Sequence, residues 1–127
     1  MRKALTQAGL APSDVSHINA HATGTPVGDT AEAHAIREVF GDNKTVTAPK
    51  AALGHLVGAA GAVEALIAIL SVERDVIPPT RNLAETQIDP GIELDVVTVP
   101  REAPQRAVLS NSFGFGGQNV SLIFTKG

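Results

Sequence analysis

Between Leu56 and Val72 the chain reads LVGAAGAVEALIAILSV, with Glu64 as its only charged residue. A helix apolar on all its faces is stable only when surrounded by other protein or by lipid. The run is shorter than the roughly 20 apolar residues that a membrane span needs, so protein is the expected surrounding. Gly54, Gly58 and Gly61 would let a neighbouring backbone come close. A helix buried on every side needs a layer on each side of it. A chain of 127 residues, one domain by length, with three helices and a handful of strands, barely supplies them. The sequence therefore reads as one half of something, the other half being another chain or a missing segment.

The remaining elements are ordinary. A weak helical pattern over Met1–Leu10 ends at Gly9, ahead of Pro12. VSHINA, Val15–Ala20, alternates like a short strand, and HATGTPVGD after it is turn-rich. Asp29 is expected to cap the next helix, with Glu32 as the reciprocal half of a capping box, and that helix runs to Phe40 and stops at Gly41. A strand is expected near Thr45–Thr47 and an edge strand over Leu94–Val99, with an extended stretch from Pro78 to Gly91 between them. Arg106–Asn111 and Val120–Thr125 read as strands flanking a loop, Ser112–Gln118. Strands alternating with helices indicate an α/β layered fold.

Several functions are excluded or disfavoured. A net charge of −3 without a basic stripe argues against a nucleic-acid surface. With no cysteine there is no disulfide, no thiolate metal site and no thiol nucleophile. The start has no apolar segment behind its two positive charges, so no signal peptide is expected and the reading is a cytoplasmic protein. The glycines near Gly114 lack the dinucleotide fingerprint. A short-chain dehydrogenase would need a tyrosine, and the chain has none. No Gly-x-Ser-x-Gly elbow is present. His17 and His21 lie on a strand and its exit, which is not the geometry of a helical metal pair.

Three stretches carry candidate chemistry. His21 follows a strand, where α/β folds place their sites. It reads either as a neutral donor to a reacting oxygen or as a histidine that pins a loop. Lys50 and His55 precede the apolar helix. A lysine losing solvation there needs a carboxylate or its pKa falls, and Glu64 is the natural candidate. The alternative is a solvated lysine in a loop and a glutamate at a helix break, although an unpaired buried glutamate would be costly. SNSFGFGGQN holds Phe113 and Phe115 between glycines, either as a mobile aromatic gate or as a plug in a tight turn.

Taken together, NAHATGTPVGD, PKAALGHLVGAAGAVEA, VIPPTRNL and NSFGFGGQN resemble the C-terminal half of the elongating beta-ketoacyl-[acyl-carrier-protein] synthases, the wording being closest to actinobacterial and mycolate-pathway members. The resemblance runs from about Ala4 to Phe124. It implies one thiolase-like C-terminal domain over residues 1–127, half of an α-β-α-β-α layered fold with a mixed sheet and a buried central helix.

The resemblance also implies roles. His21 and His55 match the catalytic histidines that hydrogen-bond the thioester oxygen, Lys50 the catalytic lysine and Glu64 its companion. Phe113 and Phe115 match the gate, and Thr23 and Thr25 the hydroxyls that bind the pantetheine arm. Asn19, Glu64, Ser110 and Asn111 match positions around a structural monovalent cation in some members. No other cofactor is implied, since phosphopantetheine arrives on the acyl carrier protein. The implied partners are that carrier protein and the cysteine-bearing N-terminal half or another subunit, full-length members being homodimers. Neither nucleic acid nor a membrane span is implied. Gln118 departs from the threonine or histidine of many members, and the missing cysteine leaves the chain inactive by itself. The alternatives are a non-catalytic, chain-length-factor-like partner and a truncated fragment.

Overall fold

A computed structural model of the chain describes residues 1–84 and 87–126. Part of the extended stretch expected after Pro79, Glu85 and Thr86, therefore lies outside the described residues. In chain order the elements are α1 (Arg2–Ala8), β1 (His17–Asn19), α2 (Pro26–Phe40), β2 (Thr45–Thr47), α3 (Lys50–Leu53), α4 (Ala60–Arg74), β3 (Val76–Ile77), β4 (Asp95–Val96), β5 (Arg101–Glu102), β6 (Ala107–Gly114) and β7 (Gln118–Thr125).

Five strands form one mixed sheet in the order β4-β2-β1-β6-β7. The pairs β1/β2, β1/β6 and β2/β4 are parallel, and β6/β7 is an antiparallel hairpin. β4 is the expected edge strand, although only two residues of Leu94–Val99 pair. β3 and β5 make a separate two-stranded ribbon.

Strand alternation divides the sheet into two faces. Ile18, Val46 and Leu109 point to one, where they pack with Leu5 of α1 and Ile36 of α2. Val108 points to the other, against Ala68 and Val72 of α4, with Phe124 beside them. The result is three layers, helices–sheet–helix, with the apolar helix on the outside of one of them.

That placement corrects the expectation of a helix buried all round. Ala60, Glu64, Ala68, Ser71 and Val72 of α4 are buried, a single stripe at helical spacing. Leu66 is 55% exposed and Ile69 36%. The chain covers one face of α4 and leaves the other bare. The helix is also shorter than the apolar run: Val57–Ala59 is a 3₁₀ turn leading into it.

Three local readings change as well. α2 starts at Pro26 after Thr25, because proline is tolerated at the first helical position and its missing N–H costs nothing there. Asp29 thus lies inside the first turn and caps nothing. The β6–β7 pairing continues through Ser112, Phe113 and Gly114, so the expected loop shrinks to the turn Phe115–Gly117. The glycines before α4 meet no neighbouring backbone. Gly54 is needed instead for its φ of 76°, a conformation other residues adopt only under strain.

Candidate active site

The C-terminal ends of β1 and β2 lead into the two loops that carry the chemistry. His21 leaves β1, and Lys50 opens the single turn of α3 after β2, with His55 just beyond it. The His21 and His55 rings meet edge-on, with centroids 5.8 Å apart at 89°. The ring of Phe113 is 5.7 Å from that of His21. Residues from three separate stretches therefore converge. Phe115 does not join them; it is fully exposed at the hairpin tip.

The tautomer of His55 follows from its neighbour. Val57 N–H donates to His55 Nδ1 at 3.1 Å. A ring nitrogen that accepts carries no proton, so in the neutral ring the proton sits on Nε2, which becomes a donor. Val57, a β-branched residue, makes this contact at φ 49°. Ala22, next to His21, is held at φ 31°. Left-handed non-glycine residues of this kind cost roughly 1–3 kcal/mol each and gather where function demands them.

Desolvation, then the positive charge of Lys50 and the proximity of His55, hold the His21 pKa below the ordinary histidine value. His21 is therefore neutral at physiological pH, a donor or acceptor rather than a cation. Lys50 is buried and paired: its Nζ lies 2.5 Å from Glu64 Oε1. Charges taken out of water are stable only when compensated in this way.

Glu32 is the residue that local pattern reading misassigns. Its carboxylate accepts from the His21 N–H at 2.9 Å and the Ala22 N–H at 2.8 Å. Asn111 Nδ2 donates to it at 3.0 Å, and Asn111 Oδ1 accepts from Ser121. A buried carboxylate thus ties the His21 loop to β6 and β7. Burial raises its pKa above the usual carboxylate range, and the two backbone donors and Asn111 oppose that rise.

Of the residues matched to a cation site, Asn19 Nδ2 donates to the Glu64 carbonyl at 3.0 Å and reaches Ser110 Oγ at 3.5 Å. Asn19 Oδ1 and Glu64 Oε2 are buried oxygens with no hydrogen-bond partner. Two such oxygens suit a hard cation of low charge, since Lys50 already neutralises Glu64. The Asn111 side chain is not with them: it follows Ser110 on β6 and so points to the opposite face, toward Glu32. Among the described residues, no cluster of three or more His, Asp or Glu side chains is placed to hold a metal ion.

Thr23 Oγ1 and Thr25 Oγ1 stand 3.2 Å apart at the rim of a cavity of about 610 Å³, which reaches His55 and Lys50. Its walls include Ala33 and Ile36 of α2 and Val46 and Val96 of the sheet edge. No helix among the described residues is long and apolar enough to cross a membrane.

Residues 1–84 match the family model described as beta-ketoacyl synthase, C-terminal domain. The 3-oxoacyl-[acyl-carrier-protein] synthase 2 of Mycobacterium tuberculosis is 54% identical over 124 residues, which are 96% of this chain and 29% of that protein. A beta-ketoacyl synthase structure from Burkholderia phymatum superposes with a TM-score of 0.95 at 38% identity, over 100% of this chain and 31% of the other. The ishigamide ketosynthase/chain length factor gives a TM-score of 0.93 at 41% identity, over 99% of this chain and 32% of that one. The fold is thus thiolase-like, and the chain spans less than a third of the length of the relatives it matches.

Proposed function

The chain belongs to the beta-ketoacyl synthase family as its C-terminal domain, and from that premise we propose that it supplies the histidine and lysine portion of an active site for decarboxylative Claisen condensation. The substrates are malonyl-carrier protein and an acyl group held as a thioester on a cysteine of the other half. In the complete, cytoplasmic, homodimeric enzyme, the bond between the malonyl carboxylate carbon and the α-carbon breaks. CO2 leaves, and the electron pair passes to the enolate oxygen. His21 and His55 donate to that oxygen. The α-carbon then attacks the acyl thioester, the carbon–sulfur bond breaks, and the cysteine thiolate departs. The product is a 3-oxoacyl thioester on the carrier protein.

The observation that carries this reading is the His55 ring, whose Nδ1 is occupied by Val57 N–H, which leaves Nε2–H as a donor 5.8 Å by ring centroid from neutral His21. Two pre-aimed donors on a developing oxyanion are worth roughly 10²–10³ in rate apiece. Lys50, held by Glu64, sets a positive charge beside them. Thr23 and Thr25 receive the pantetheine arm at the cavity rim, and Phe113, beside His21, gates the histidine pair. A monovalent cation there would be structural, giving a partner to the buried oxygens Asn19 Oδ1 and Glu64 Oε2.

A non-catalytic chain-length-factor role is the second reading, favoured by the likeness to the ishigamide assembly. A partner of that kind has no use for His21, Lys50 and His55 together. The test is CO2 release from malonyl-carrier protein, first with this chain alone and then with its cysteine-bearing half. Release only with both, lost in His21→Ala and His55→Ala, supports condensation. No release with both halves overturns it.

A further inference from the structure

α3 is one turn long, and a single turn does not hold itself together in water. Lys50 at its start is anchored by Glu64. The chain then leaves the helix at Gly54, with φ 76° and ψ 176°, immediately before His55. In a continuing helix the Ala51 carbonyl would accept the N–H of the residue four ahead, which is His55. Here that carbonyl accepts from Asn82 Nδ2 at 2.9 Å. The amide of a distant side chain thus stands where the His55 N–H would be, and His55 is free to turn into the site.

The entrance to the turn is held from the same segment. Ala48 N–H, which precedes the helix, donates to Thr80 Oγ1 at 3.1 Å. Thr80 is itself buried, and its N–H donates to the Val97 carbonyl at 2.7 Å. Val97 N–H in turn donates to the Val46 carbonyl of β2 at 3.0 Å. Asn82 sits at φ 59°, a left-handed position that asparagine tolerates better than most residues. One short stretch, fixed to the sheet edge, grips both ends of the turn between Lys50 and His55.

We propose that Thr80 and Asn82, which also line the cavity, are positioning residues for His55 and Lys50, acting through the backbone of α3. The role rests on the condensing reading of those two side chains. Misplacing a reacting group by about 1 Å costs up to 10²-fold in rate, which sets the scale of the effect.

The test uses the complete synthase with four variants. Thr80→Val removes the acceptor at constant shape, and Thr80→Ser restores it. Asn82→Gly keeps the left-handed backbone without the amide, and Asn82→Asp replaces the donor with an acceptor. Expected are a fall in kcat for CO2 release of roughly ten- to a hundredfold in Thr80→Val, Asn82→Gly and Asn82→Asp, a KM within about twofold of wild type, and near wild-type rates in Thr80→Ser. Amide hydrogen exchange gives a readout apart from turnover. The Leu53 and Gly54 amides should exchange faster in the three impaired variants, while those of His17–Asn19 stay unchanged. Unchanged exchange at Leu53 and Gly54 overturns the clamp, and faster exchange with unchanged kcat overturns its positioning role. Wild-type enzyme that releases no CO2 overturns the condensing reading and with it the positioning role, while exchange still decides the clamp itself.

Discussion

Lys50 Nζ and Glu64 Oε1 meet at 2.5 Å with both side chains almost wholly buried. The pair joins the start of α3 to the second turn of α4, and the contact closes the segment between them, His55 included, into a ring. Removing one partner strands the other charge out of water, at a cost of about 3–5 kcal/mol. Lys50→Ala and Glu64→Ala should each lose stability on that scale in urea unfolding. The double replacement Lys50→Met with Glu64→Leu should recover most of it, because no lone charge remains. Single variants within about 1 kcal/mol of wild type would show the pair to be solvated instead.

This contact was legible in the sequence for a simple reason. A lysine next to an apolar helix needs a carboxylate, and the apolar run Leu56–Val72 offers Glu64 alone. Glu32 shows the opposite case. Its spacing from Asp29 fits a capping box, yet its partners are His21 and Ala22 in the preceding loop and Asn111 on a distant strand. Local pattern carries no sign of a strand 79 residues away. The extent of the hairpin is hidden because Gly114, Gly116 and Gly117 read as loop, although strand pairing continues up to Gly114. The half-structure was readable because burial demand exceeded what the chain could supply. Which face of α4 lies bare depends on packing against the sheet, which the nearly uniform apolar pattern of the helix does not encode.

His17 makes the fold sensitive to acid. It is fully buried in β1, with Nδ1 2.7 Å from Gln105 Oε1 and Nε2 without a partner. Desolvation lowers its pKa to about 4, against a smaller raising effect of the Gln105 bond. The unfolded chain, with an ordinary histidine pKa near 6.5, binds the proton that the native state refuses. Stability is therefore full above pH 7 and falls as pH drops from about 6.5 toward about 4. The loss from this group is up to about 3 kcal/mol. Urea unfolding at pH 7 and pH 4.5 measures it. His17→Asn, which keeps a donor for Gln105, should flatten that slope, and an unchanged slope would assign the acid sensitivity elsewhere.

The bare side of α4 should make the chain associate. Leu66 is 55% exposed, and Val120 and Leu122, alternate residues on the same face of β7 as Phe124, are 52% and 45% exposed. An apolar surface of this kind marks an interface or an aggregation liability. Light scattering of the isolated chain should give a mass above that of one chain, rising with concentration. Leu66→Lys with Leu122→Lys should return it toward a monomer with an unchanged circular dichroism spectrum. The same double variant should fail to assemble with the cysteine-bearing half. A monomeric wild-type chain at high concentration would mean that this face needs no cover.

Gly28 separates binding from stability. A Cβ at this position would lie 2.5 Å from Thr25 Oγ1. Thr25 must then rotate, and its 3.2 Å contact with Thr23 Oγ1 is lost. The backbone has no objection: Gly28 lies within α2, where alanine in place of glycine gains up to about 1 kcal/mol. Gly28→Ala should therefore leave the melting temperature unchanged or raise it. If the paired hydroxyls receive the pantetheine arm, the same substitution raises KM for malonyl-carrier protein severalfold in the complete synthase and leaves kcat close to wild type. Thr25→Val, which removes the hydroxyl without the crowding, should match it. An unaltered KM in both variants would remove Thr23 and Thr25 from the binding site and leave the cavity rim without a reader for the arm.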